Sequence, residues 1–215
     1  MRYELIKFDH ERHDFVKIIK DLFHVDKLED MNEEHAELFK VGDDSKTSFH
    51  KEFYDRYRAG WDEFQNLYEQ FIKEEIAPVY SGNFLYQAWP TFRVHLNGNL
   101  AVGDFHNDAE FGHPEGEINY IIPLTNSDGT AAPWVESEPK KGDYECMLMR
   151  VGYFIIFNGN RLTHGNKVND TGKTRVSLDF RILPMDCYKE NYNGESITRK
   201  TKFKIGEYYK LFERK

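Results

Sequence analysis

Cysteine is nearly absent from this chain: Cys146 and Cys187 stand 41 residues apart. No CxxC pair exists, which excludes a cysteine zinc site, and two thiols make no disulfide framework. Long apolar runs are missing as well. The longest, Tyr153 to Phe157, has the length of a strand and cannot span a bilayer. The opening residues Met-Arg-Tyr-Glu-Leu-Ile-Lys are too polar for a signal peptide. There is no low-complexity linker and no repeat at solenoid spacing. Positive charge is in deficit, with 29 Lys and Arg against 37 Asp and Glu and a net charge of −8. That argues against a nucleic-acid partner, as does the lack of a basic stretch interleaved with aromatics. These absences lead us to expect a soluble, reduced, cytoplasmic protein with no membrane and no nucleic-acid partner.

Aromatic residues are abundant: 17 Phe, 13 Tyr and 3 Trp in 215 residues. The first 80 residues read as helical. Asp9 or the polar residues after it can cap a helix in which Phe15, Ile18, Ile19, Leu22 and Phe23 recur at helical spacing. Residues 25–47 are polar and unpatterned. A longer helix is expected from about Phe49 to Ile76, with Phe53, Tyr57, Phe64, Leu67, Phe71 and Ile72 on one side, a kink at Gly60 and a stop at Pro78. Its aromatic stripe reads as the face that covers a sheet.

From about residue 84 the period changes to alternation. Phe92, Val94 and Leu96 alternate with Thr91, Arg93 and His95, and Ile118, Tyr120 and Ile122 alternate with Asn119 and Ile121. Gly152 to Phe157 is a buried-strand run. In Arg175 to Ile182, Val176, Leu178, Phe180 and Ile182 share one face, and Arg175, Ser177, Asp179 and Arg181 share the other. Turn clusters at Leu96–Asn99, Asn126–Gly129, Asn158–Asn160 and Asn169–Gly172 separate the strands. Helices followed by many short strands predict one α+β domain built on a jelly roll. Its parts would be a helical N-terminal region (1–80), a jelly-roll core (84–185) and a C-terminal extension (186–215).

The chemistry concentrates at His106-Asn-Asp108 and His164. On an extended segment, side chains two apart point the same way, so His106 and Asp108 face together. His164 follows 56 residues after Asp108, just past the buried strand. Two histidines and one carboxylate make the facial triad that suits Fe(II) and leaves positions open for substrate chemistry. Eleven residues beyond His164, Arg175 and Ser177 share a strand face. A guanidinium pairs bidentately with a carboxylate, and the hydroxyl adds a hydrogen bond. The fitting carboxylate is the distal one of 2-oxoglutarate. Arg181 shares that face, but six residues of strand put it about 20 Å away, so it should not bind the same carboxylate. The other seven histidines (His10, His13, His24, His35, His50, His95 and His113) read individually as structural.

Over about Tyr86 to Leu183 the sequence resembles the Fe(II)/2-oxoglutarate-dependent oxygenases. Trp89-Pro-Thr-Phe-Arg-Val-His-Leu, Asn99-Leu-Ala-Val-Gly-Asp-Phe-His-Asn-Asp, Gly116-Glu-Ile-Asn-Tyr-Ile-Ile-Pro-Leu-Thr, Trp134-Val-Glu-Ser-Glu-Pro and Gly142-Asp are similar to a narrower group. That group is the StrG-type proteins found with streptomycin biosynthesis genes. The resemblance implies a double-stranded β-helix, iron at His106, Asp108 and His164, and 2-oxoglutarate at Arg175 with help from Ser177. It also suggests that Asn119 touches the cosubstrate. Related halogenases replace the carboxylate ligand with a small residue. Asp108 is kept here, so hydroxylation is the expected reaction, consuming O2 and releasing succinate and CO2.

The expected substrate is a small molecule. Glu110, His113, Glu115 and Glu117 lie in a Gly- and Pro-shaped loop after Asp108, and acidic groups there would suit a cationic amino sugar or amino acid. Arg93 and Trp134 are further substrate candidates, and Glu136 stands beside Trp134. Two other readings stay open: a cupin-like metal enzyme that does not use 2-oxoglutarate, and a non-catalytic jelly-roll module that binds a sugar or a partner. Dependence on the cosubstrate separates the three. A protein or peptide hydroxylase would use the same iron centre.

Overall fold

The computed structural model describes residues 2–32, 47–101, 104–196 and 200–214. His35 and most of the unpatterned 25–47 stretch lie outside them. The chain begins with a strand, β1 (Glu4–Lys7), where the sequence pattern predicts helix. Four residues carry too little periodicity to read, and β1 exists because it pairs antiparallel with a distant strand, Leu5 facing Ile155. Helix α1 (Phe15–Phe23) is capped by Asp14, whose side chain accepts from the Lys17 N–H. Asp9 serves the turn before it, accepting from the Arg12 N–H.

The expected long helix is two helices. Helix α2 (Ser48–Arg58) starts at the Thr47 cap and helix α3 (Asp62–Phe71) follows. Gly60 sits between them at φ +94°. A left-handed backbone ends a helix rather than bending it. A π-helical turn at Ile72–Ile76 and a 3-10 turn at Ala77–Val79, which contains Pro78, carry the chain on to the sheet.

The strands that follow are β2 (Phe84–Gln87), β3 (Thr91–His95), β4 (Ile118–Pro123), β5 (Trp134–Val135), β6 (Glu145–Cys146), β7 (Tyr153–Phe157), β8 (His164–Gly165), β9 (Arg175–Pro184) and β10 (Tyr209–Phe212). Seven form one sheet in the order β1-β7-β4-β9-β2-β10, with β3 also on β9, and three form a second sheet in the order β6-β5-β8. The pairs between these strands are antiparallel. The architecture is therefore α+β with antiparallel sheets. The stretch expected to be a C-terminal extension contributes β10, paired to β2 with Tyr209 opposite Gln87.

Strand β9 organises the molecule. At ten residues it is long enough to pair with β4 on one side and with β2 and β3 in succession on the other. Its even positions, Val176, Leu178, Phe180 and Ile182, enter a core shared with α1, α2 and α3. Aromatic rings fill that layer: Phe53 stacks on Phe92 with centroids 4.5 Å apart, and Tyr120 on Phe180 at 5.2 Å. The helical stripe does cover a sheet, and burying such rings removes roughly 1.5–3 kcal/mol of apolar surface cost each. A smaller cluster of Ile121, Val135, Met147, Met149, Ile155, Phe157 and Leu162 lies on the opposite side. The odd positions of β9 face that second side.

Candidate metal centre

Two backbone hydrogen bonds assemble the site. The His106 N–H donates to the His164 carbonyl at 2.9 Å, and the His164 N–H donates to the His106 carbonyl at 2.8 Å. Residues that exchange both bonds lie directly opposite in an antiparallel pair, with their side chains on one face. The rings consequently sit 4.8 Å apart. Phe157 packs against the His164 ring at 5.1 Å and Phe111 against the His106 ring at 4.7 Å. Asp108 opens a short 3-10 turn capped by Asn107. Its own N–H donates to the Gly159 carbonyl at 2.8 Å, which fixes where the carboxylate points.

Each imidazole is held by one nitrogen and offers the other. His106 Nδ1 lies 2.8 Å from the Asp104 carbonyl and His164 Nδ1 3.0 Å from the Leu162 carbonyl. A carbonyl accepts only from N–H, so the proton belongs on Nδ1 and the Nε2 lone pair faces inward, as a metal-ligating histidine requires. Asp108 Oδ1 stands 3.8 Å from His106 Nε2 and 3.7 Å from His164 Nε2. The donor atoms of the three residues lie within 4.8 Å of one another. Two imidazoles and one carboxylate on one side of a point form a donor set that suits a borderline divalent cation.

The other carboxylate oxygen is fully engaged. Asp108 Oδ2 accepts from Arg181 Nε at 2.9 Å and from Asn119 Nδ2 at 2.7 Å, with Arg181 Nη2 at 2.8 Å. Asn119 and Arg181 are register partners across β4 and β9. Burial opposes the charge on Asp108, but the Arg181 guanidinium, with His164, His113 and the Asn119 bond, outweighs it and holds the pKa well below the usual carboxylate range. His164 is pushed down by burial, against the pull of Asp108.

The odd residues of β9 complete the wall. Arg175, Ser177, Asp179 and Arg181 line one cavity of ≈ 80 Å³ with His106, Asp108, Asn119 and His164. Arg175 is buried, and its Nη1 donates to the Ala131 carbonyl at 3.0 Å and to Asn166 Oδ1 at 2.8 Å. Arg93 also reaches this cavity, its Nε donating to Asp179 Oδ1 at 2.8 Å.

The remaining candidates do not line this cavity, although Glu117 Oε2 lies 3.8 Å from Arg181 Nε. Glu117 is fully buried behind the site, accepting from Tyr209 Oη and paired with His113 Nδ1 at 2.6 Å. Glu110 is exposed and accepts from Asn107 Nδ2 at 2.5 Å. Glu115 lines a different cavity beside Arg161 and Lys189. Trp134 gives its Nε1–H to the Gly129 carbonyl and carries Lys167 over its ring, 3.3 Å from the centroid. Its neighbour Pro133 is the one that lines the site cavity. Glu136 is buried and accepts from the Thr163, Lys140 and Gly142 N–H groups, which ties the loops around β5. His13, His50 and His95 are buried. Arg181 is the residue that the sequence placed on the right face and gave no role. The available signal was a second arginine on a strand face that was already polar.

Across 208 residues the chain is 33% identical to the streptomycin biosynthesis protein StrG of Streptomyces griseus, covering 97% of this chain and 98% of that protein. The chain belongs to the StrG family. No family model matches it. AviO1 from Streptomyces viridochromogenes Tue57 is a similar solved structure, 14% identical over 87% of this chain and 92% of that chain, with a TM-score of 0.46. A Pseudomonas putida prolyl-4-hydroxylase is 11% identical over 85% of this StrG-family chain and 92% of its own, with a TM-score of 0.42. A 2OG-Fe(II) oxygenase family oxidoreductase from Burkholderia pseudomallei is 14% identical over 62% of this chain and 57% of its own, with a TM-score of 0.37. No helix among the described residues is long and apolar enough to cross a membrane.

Proposed function

We propose that this StrG-family chain is an Fe(II)- and 2-oxoglutarate-dependent oxygenase that hydroxylates a small molecule. The supporting observation is the convergence of His106 Nε2, Asp108 Oδ1 and His164 Nε2 in one cavity with Arg175 and Ser177. With iron bound, one oxygen atom of O2 goes to succinate and the other to the substrate, with release of CO2. The chain's residues supply position. Asp104 and Leu162 carbonyls keep both Nε2 lone pairs inward. Arg181 and Asn119 hold Oδ2, so that Asp108 presents one oxygen to the metal. Arg175, braced by Ala131 and Asn166, meets the distal carboxylate of 2-oxoglutarate, and Ser177 adds its hydroxyl. Asn119 serves the cosubstrate end indirectly, through Asp108.

In this proposal the two antiparallel sheets are the halves of a double-stranded β-helix within a single oxygenase domain spanning 1–215. Residues of both sheets, His164 from one and Arg175 from the other, face the same cavity.

The test is an anaerobic titration of metal-free protein with Fe(II) and then 2-oxoglutarate. A weak visible charge-transfer band that needs both, and is lost in His164→Ala, is the expected result. Succinate formation on admitting O2 should disappear in Asp108→Ala and equally in Asp108→Asn, which keeps a partner for Arg181 and so separates lost chemistry from lost stability. Succinate at wild-type rate in either variant would sink the proposal. Tight metal binding with no band would shift the assignment to a cupin-like enzyme.

A further inference from the structure

Glu117 is a fully buried carboxylate to which the chemistry proposed above gives no part. It does not line the metal-site cavity, so it touches neither a metal there nor a substrate. Burying a carboxylate is costly unless donors match its oxygens. The donors around Glu117 come from three separate parts of the chain. Tyr209 Oη, in β10, donates to Oε1. His113 Nδ1, in the loop after Asp108, donates to Oε2 at 2.6 Å. Arg181 Nε, in β9, stands 3.8 Å from the same oxygen. Glu117 itself lies one residue before β4.

Arg181 is therefore held between two carboxylates. Its Nε and Nη2 meet Asp108 Oδ2 at 2.9 and 2.8 Å, and the same Nε faces Glu117. Burial opposes the Arg181 charge, but Asp108, Tyr208 and Glu117 outweigh it and push its pKa up.

The charge on this group gives Glu117 a function. Asp108 and Arg181 alone are neutral together, and a carboxylate cancelled by a guanidinium attracts a divalent cation weakly. Glu117 makes the group an anion again. In a poorly polarisable interior that charge is little screened and acts over several ångström. Arg93 does not alter the balance, since it pairs with Asp179 at 2.8 Å. Arg175 stands six residues along β9 from Arg181, about 20 Å of strand. Glu117 also competes with Asp108 for the guanidinium, which leaves Asp108 more of its own charge for a ligand bond. Both effects have one sign, so losing the Glu117 charge weakens cation binding. Tyr209 keeps that charge in place from 92 residues away. Burial and the Glu117 charge push its hydroxyl far above the ordinary phenol range, so it stays a donor.

We propose that Glu117 is a positioning residue of the metal centre: held by Tyr209, it acts through Arg181 to keep Asp108 a strong and correctly directed ligand. Strand β10 is thereby part of the site, although none of its residues lines the cavity. This role differs from the substrate contact that the sequence suggests for Glu117. It rests on the metal centre of the oxygenase reading, and not on the cosubstrate or the substrate.

The experiment measures the Mn(II) affinity of the metal-free full chain by EPR, in which the signal of the free ion is lost on binding. Urea denaturation of the same samples reads stability separately. Glu117→Gln keeps the shape and removes the charge. It should bind Mn(II) about tenfold more weakly, the lower end of what residues supporting a ligand contribute. Tyr209→Phe should shift affinity in the same direction by less. Tyr80→Phe removes a hydroxyl contact with Tyr120 on the helix-covered side of the sheet. It should cost stability and leave Mn(II) affinity unchanged. Combined with Arg181→Gln, Glu117→Gln should add much less than its own tenfold, because the route to Asp108 is already broken.

Wild-type Mn(II) affinity in folded Glu117→Gln overturns the proposal, and Tyr209→Phe decides in the same way if Glu117→Gln fails to fold. A full loss added on top of Arg181→Gln also overturns it, as does an equal loss in Tyr80→Phe. The wild type and His164→Ala separate the two kinds of failure. If the wild type binds no Mn(II), or His164→Ala binds it equally well, the metal centre falls and the oxygenase reading with it. If binding is lost in His164→Ala but untouched in Glu117→Gln, only the role of Glu117 falls.

Discussion

Arg181 grips Asp108 from behind, with Nε and Nη2 at 2.9 and 2.8 Å from Oδ2, while Oδ1 stays directed at the two histidines. The carboxylate is thereby divided between an oxygen held by the protein and an oxygen that faces the two imidazoles. Arg181→Gln removes one partner of a buried pair and leaves the other charge uncompensated. Breaking such a pair costs about 3–5 kcal/mol, and urea denaturation of metal-free protein should show a loss of that order. Arg181→Lys keeps the charge but not the two-toothed grip and should recover only part of it. Two variants as stable as the wild type would show that the pair holds nothing.

Arg175→Ala should raise the 2-oxoglutarate concentration needed for half-maximal succinate production by tenfold or more, since a charge-assisted bidentate contact contributes about 1.5–3 kcal/mol. The Fe(II) requirement should stay where it is. A 2-oxoglutarate requirement that does not move would place the anchor on another residue.

His50 makes stability depend on pH. Burial, helped by the nearby Arg93 charge, lowers its pKa from 6.5 to about 3. Below pH 6.5 the unfolded chain takes up a proton that the folded chain refuses. The contribution of this residue is therefore complete above 6.5 and declines by about 1.4 kcal/mol per pH unit toward pH 3. Urea midpoints at pH 7 and pH 5 should differ more in the wild type than in His50→Gln, whose amide can still meet Thr47. Equal differences would remove His50 from the acid response.

Gly159 is a steric requirement. A Cβ there would stand 2.7 Å from Asn119 Nδ2 and 2.8 Å from its Cγ. Asn119 would have to move, breaking its bonds with the Gly159 N–H and with Asp108 Oδ2. Gly159→Ala should cost about 1–3 kcal/mol of stability and weaken Mn(II) binding, which thermal unfolding with and without Mn(II) reads directly. An unchanged melting temperature and metal shift would mean that the site has room to give.

The strand faces were legible in the sequence because alternation is a local property. The pattern of Arg175 to Ile182 separates the helix-facing residues from the site-facing ones, and the structure keeps that division. Position along the face was not legible. Arg181 shares a face with Arg175, but its contact with Asp108 depends on where a loop 73 residues earlier returns. The direction of the acidic side chains after Asp108 was not legible for a related reason. Composition gives the number of carboxylates and not their direction, and Glu117 points inward to Tyr209 and His113. Strands β1 and β10 escaped notice because four residues show no period and their pairing partners are remote.

The mutual hydrogen bonds of His106 and His164 bear on the order of events during biosynthesis. The segments that carry them are 58 residues apart, and closing a loop of that length is an entropic cost met late, once other contacts offset it. Neither segment alone offers more than two ligands. On the proposed iron assignment the nascent chain has no complete coordination set to offer a passing ion, and metallation would follow folding. The cation would then be selected by the folded site, so a preparation that acquires the wrong metal should be correctable by exchange in the native state, without unfolding.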